Sequence, residues 1–96
     1  MKIYIAGPMT GLPDCNRPAF FKAEKILKKS GHTVLNPANN PEGLTHDEYM
    51  HICRAMIDVS EMVVFLPGWE ESKGARIEYS WAIESGKRIE VPDEAV

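Results

Sequence analysis

The stretch Glu61–Val91, EMVVFLPGWEESKGARIEYSWAIESGKRIEV, decides how the chain is to be read. It opens with EMVVFL, the most apolar run in the sequence, β-branched and continuous enough for a central strand buried on both faces. PGWEESKG interrupts the run with turn formers. From Gly74 the apolar spacing becomes helical, Gly86 stops the helix, and KRIEV reads as a further strand.

The same alternation extends toward the N-terminus. KIYIA is a compact buried-strand run, ended by the turn-rich GPMTGLPD. Asn16 is placed to cap a helix with Pro18 in its first turn. Phe20, Ala23 and Leu27 recur along one side of that helix, with Ala19 and Ile26 beside them, lysines lie opposite, and Gly31 stops it. HTVLN is a second strand, followed by the polar loop PANNPEG. Thr45-His46-Asp47-Glu48 is a capping box opening a helix with Tyr49, Cys53 and Met56 along one face. The order β-α-β-α-β-α-β implies right-handed crossovers and a parallel sheet covered by helices on both faces. The simplest such arrangement is a flavodoxin-like, three-layer α/β fold with four parallel strands in the order 2-1-3-4, one domain spanning residues 1–96. Strands one and three are then neighbours at the switch point, where ligands bind beyond the carboxyl ends of the strands. The loops leaving them, Gly7–Gly11 and Pro67–Gly74, are the two richest in glycine.

Composition narrows the classes of function. The 96 residues carry a net charge of −3 with lysines and glutamates interspersed, so no basic footprint points to nucleic acid. No run approaches the roughly 20 apolar residues of a membrane span, and the apolar run before Gly7-Pro8 is too short for a signal peptide. Cys15 and Cys53 lack CxxC spacing and the three histidines are scattered, so neither disulfide nor metal is expected and a cytoplasmic location fits. Neither GxGxxG nor a Walker loop is present, and no cofactor is expected.

Glu78 is out of place. On a helical wheel at about 100° per residue it lies near the middle of the apolar arc, flanked by Ala75 and Ala82, while Arg76, Ser80 and Glu84 take the wet side. A buried carboxylate is costly unless paired or neutralised. It can be a nucleophile in a partly dry site near a helix N-terminus, or a structural group bonded to loop amides, Arg76 or Arg54. On the catalytic reading, removing its side chain should leave the fold at least as stable. Gly7 and Gly11 bracket a loop able to approach a ligand closely, or merely a tight turn. Ser72 stands where a hydroxyl and free amides can hold a phosphate, or is an ordinary loop serine. Tyr4 points toward the site from strand one or belongs to the core.

Three segments, IYIAGPMTG, HTVLNPA and MVVFLPGWEESKGARIEYSWAIESGKRI, together resemble the nucleoside 2-deoxyribosyltransferase superfamily. The likeness is greatest to its short branch of domains of unknown function, common in phage genomes. It runs from Lys2 to about Val91. It implies a flavodoxin-like fold and N-glycosidic chemistry on a nucleoside or nucleotide, with Glu78 as nucleophile and Tyr4 hydrogen-bonding beside it. It also implies that Gly7, Pro8, Met9, Thr10 and Gly11 line the sugar, that Ser72 and Gly74 lie at the substrate's phosphate end, and that the protein is a homo-oligomer. On the second helix, where the superfamily usually carries an aspartate, this sequence has Cys53. That departure keeps open a second function on the same scaffold, a protein that binds or sequesters a nucleotide derivative without turning it over. A third, a purely structural or interaction protein with Ile77 and Trp81 on an oligomer face, leaves Glu78 and the glycine loops unexplained.

Overall fold

The computed structural model describes residues 1–92, so residues 93–96 of the expected domain lie outside the described residues. Strands β1 (Lys2–Ala6), β2 (Thr33–Leu35), β3 (Met62–Phe65) and β4 (Arg88–Glu90) alternate with helices α1 (Arg17–Lys29), α2 (His46–Val59) and α3 (Lys73–Glu84). The sheet is parallel in the order β2-β1-β3-β4, as the sequence implies. Ala6 pairs with Phe65, which brings the carboxyl ends of β1 and β3 side by side. Among the described residues no helix is long and apolar enough to cross a membrane.

Period-two alternation sorts the central strands into two cores. Tyr4, Ala6, Val63 and Phe65 face Cys53, Ile57 and Ala82 from α2 and α3. Ile5 and Leu66 face the opposite way, onto Phe20 of α1 and Ala38 of the turn after β2. Both edge strands are three residues long, and β4 exposes Arg88 and Glu90.

The capping box forms: Thr45 Oγ1 accepts from the Glu48 amide, and the Glu48 carboxylate accepts from the Thr45 amide. Asn16 differs from expectation. It makes no side-chain cap, because Asp14, Cys15 and Asn16 run in the left-handed region at φ of 52°, 52° and 59°. For non-glycine residues this costs roughly 1–2 kcal/mol each. The Asn16 side-chain amide instead donates to the Pro8 carbonyl at 2.9 Å, tying the turn back onto the loop that leaves β1.

Gly7 is fixed by space: a Cβ there would stand 2.9 Å from Cβ of Leu66. Gly7→Ala is expected to cost about 1–3 kcal/mol, as overpacking does. A urea midpoint unchanged from wild type would show that the β1–β3 junction is looser than this packing implies.

Candidate active site

Glu78 sits one turn into α3, whose buried face is Ala75, Glu78 and Ala82. Ser72 caps the helix, its hydroxyl accepting from the Ala75 amide at 3.3 Å. The first amides of α3, those of Lys73 and Gly74 included, have no carbonyl partner within the helix and face the end of the sheet where the β1 and β3 loops emerge. Tyr4 is fully buried in β1, and its hydroxyl donates to Oε2 of Glu78. The glutamate is 5% exposed. Neither arginine considered from sequence serves it. Arg54 stacks over Trp81 with its guanidinium 4.9 Å from the ring centroid, and Arg76 is exposed on the wet face of α3.

Burial pushes the Glu78 carboxyl up to about 7, although hydrogen bonds from the Tyr4 hydroxyl and the Cys53 thiol pull it back down. Burial raises the Tyr4 phenol well above its ordinary value, with the Glu78 charge adding to the effect, so Tyr4 remains a proton-bearing donor. The Cys53 thiol is pushed up to about 11, first by burial, and stays protonated. The result is a carboxyl group that is neutral in mild acid and a carboxylate in mild base, with one phenolic donor holding it.

A cleft opens in front of this group. Its inner chamber, about 90 Å³, is bordered by Glu78 and by Gly7, Met9, Thr10, Ser72 and Gly74, five of the residues singled out from sequence. One outer lobe, about 380 Å³, shares Met9, Thr10, Pro37, His46 and Tyr49 with the chamber and continues past Arg17 and Leu44. Another, about 720 Å³, runs past Pro8, Ser72, Lys73 and Gly74. Gly11, exposed at φ 82°, borders none of these cavities, and Tyr4 lies behind Glu78 rather than on the wall. Arg17 is held by Asp14 and Glu42, each at 3.1 Å.

Wall residues that escaped the sequence reading include Phe20 and Pro37, and, at the start of α2, His46, Tyr49 and Met50. For those on α2 the capping box was the available signal. In a parallel α/β sheet the helix N-termini share the end where the strands' carboxyl termini lie, so the first turn of α2 had to face the same crevice. Cys53, a turn further on, is fully buried against the sheet and borders none of these cavities.

Tyr4→Phe is expected to lower any turnover at Glu78 about tenfold to a hundredfold, the worth of a hydrogen bond to a charged group. Because it leaves the buried carboxyl group without that donor, it should also cost the fold about 1–3 kcal/mol. Unchanged turnover would remove Tyr4 from the machinery.

The chain is a small parallel α/β domain with a buried glutamate at the switch point, and its fold is shared by two solved structures. The chain superposes on a structure described as 2-desoxiribosyltransferase from Leishmania mexicana with a TM-score of 0.76 and 21% identity, covering 94% of this chain and 62% of that one. It superposes on Clostridium botulinum CMP N-glycosidase, BcmB, with a TM-score of 0.66 and 19% identity, covering 95% and 70%. It thus spans less than two thirds of the Leishmania protein's length. The chain itself belongs to the family described as Domain of unknown function (DUF4406), whose profile matches residues 1–91. Among curated proteins, none matches the sequence.

Proposed function

We propose that the cleft carries out N-glycosidic bond chemistry on a nucleoside or nucleotide, as deoxyribosyl transfer or as hydrolysis of a 5′-monophosphate N-glycoside, with Glu78 as nucleophile. One observation carries this reading: a carboxyl group poised near neutrality and bonded by the Tyr4 hydroxyl borders an inner chamber that has no other carboxylate among the described residues. A carboxylate oxygen of Glu78 attacks C1′ as the C1′–N bond breaks, and the bonding pair leaves with the base, which takes up a proton. The resulting glycosyl ester is opened at C1′ by water or by a second base, which restores the carboxylate. Tyr4 orients the attacking group. Gly7, Met9, Thr10 and Gly74 shape the chamber for the sugar, with Pro8 and Gly11 completing the loop. Lys73, the Ser72 hydroxyl and the first amides of α3 border the larger lobe, a setting suited to a 5′-phosphate. The other lobe, walled by Met9, Pro37, Leu44 and Tyr49, suits a base.

The substrate is thus a small molecule. Val59 on α2 and Ile83 on α3 are exposed apolar side chains that offer surface for self-association into the expected homo-oligomer. A panel of nucleosides and 5′-monophosphates, assayed for free base by chromatography, tests the proposal. Base release by wild type, lost on replacing Glu78, is the expected result. No release from any member of the panel would favour the second reading, a binder. That reading has an observation of its own: Glu78 is the only carboxylate bordering the inner chamber among the described residues, and Cys53 supplies none. Thermal stabilisation by a nucleotide without turnover would mark it.

A further inference from the structure

The inner chamber holding Glu78, at about 90 Å³, is smaller than the roughly 300–1,000 Å³ of ordinary ligand sites. The adjoining lobe, at about 380 Å³, falls within that range. Among the five residues that border both spaces are Met9, from the loop after β1, and Tyr49, from α2. These two meet: the Tyr49 hydroxyl donates to Sδ of Met9 at 3.0 Å. The geometry points to Met9 and Tyr49 as a side-chain gate between the lobe and Glu78, which must part before a base in the lobe can stay bonded to a sugar in the chamber. This inference rests on the glycosidic reading of the same site and adds to it two residues that position the base and limit access to the carboxylate.

The contact is suited to opening. A thioether is a weak acceptor, so little holds the pair closed. Met has three rotatable bonds and adapts to irregular gaps, whereas the backbone that carries it is anchored. Gly7 is wedged against Leu66, the Met9 carbonyl accepts from the Leu12 amide at 3.2 Å, and the Pro8 carbonyl accepts from Asn16. Movement therefore falls to the Met9 side chain rather than to the loop. Once parted, the Tyr49 hydroxyl is left without its partner and can be satisfied by an acceptor on the incoming base.

Access to Glu78 can be measured without any substrate. A water-soluble carbodiimide with an amine nucleophile converts an accessible carboxyl group to an amide, and peptide mass spectrometry reads the rate at each position. Met9→Ala should speed labelling of Glu78 about tenfold or more, with the surface carboxylates unchanged. Tyr49→Phe, which keeps the ring and removes only the hydroxyl–sulfur bond, should speed it less. If Met9→Ala fails to fold, Tyr49→Phe decides alone. Glu78 labelling at the wild-type rate in the variants that fold would overturn the gate. Base release from wild type alongside unchanged labelling would sink the gate and leave the glycosidic reading standing. Faster labelling without base release from any substrate would do the reverse.

Discussion

Glu78→Gln is expected to abolish base release while making the fold more stable in mild base. The two effects share one cause. The carboxyl group ordinarily titrates at 4.5 and is raised to about 7 in the folded protein, because burial disfavours its charge more than Tyr4 and Cys53 favour it. Above neutrality the fold therefore carries an ionised group that it disfavours, at a cost of about 3 kcal/mol. Glutamine keeps the shape and an oxygen to accept from Tyr4, but has no charge to bury and no nucleophilic oxygen. Turnover should fall at least about a thousandfold, about 4 kcal/mol in the barrier. The denaturant midpoint at about pH 8 should rise. Alanine is a poorer test than the sequence alone suggests: it removes the charge but strands the buried Tyr4 hydroxyl, and an unsatisfied buried polar group costs about 1–3 kcal/mol. A glutamine variant less stable than wild type at about pH 8 would mean that Glu78 is held by favourable interactions as an anion, and the nucleophile assignment would fall with it.

The second expectation is that activity and stability respond to pH in opposite directions. With the folded value raised above the unfolded one, the folded state binds more protons between 4.5 and about 7. The Glu78 contribution to stability is thus greatest below about 4.5 and is lost as pH climbs through 7, by about 3 kcal/mol in all. Turnover needs the carboxylate, so kcat/KM should rise about tenfold per pH unit below 7 and level off above it. Tyr4→Phe removes a bond that favours the anion, so both transitions should move to higher pH. Comparing the urea midpoints of wild type and Glu78→Gln across pH isolates this group, since the other carboxylates are common to both. Parallel stability curves for the two proteins, or an acid limb near 4.5, would contradict the assignment.

Most of the architecture could be read in the residues. The shift from β-branched runs to helical spacing in Glu61–Val91 is strong because burial demands it, and the Thr45–Glu48 capping box announces itself. The inward placement of Glu78 followed from the wheel alone, since Ala75 and Ala82 share its face. What escaped depends on long-range contact. The left-handed run Asp14–Asn16 has only a weak local signature, since Asp and Asn tolerate that region without requiring it, and it is tied down by a carbonyl eight positions back. The Tyr4–Glu78 bond, between residues 74 apart, came from the family resemblance and not from periodicity, and the Tyr49–Met9 contact, between residues 40 apart, escaped altogether. Periodicity gives the face of a helix, not which atom on another element it will meet.

The brevity of the outermost strands matters beyond their own pairing. A ribbon that ends in Thr33–Leu35 on one flank and Arg88–Glu90 on the other offers a newcomer only three residues of backbone to dock against, the latter guarded by charges of both signs. Such flanks give one sheet little template for growing into the next when molecules are crowded together.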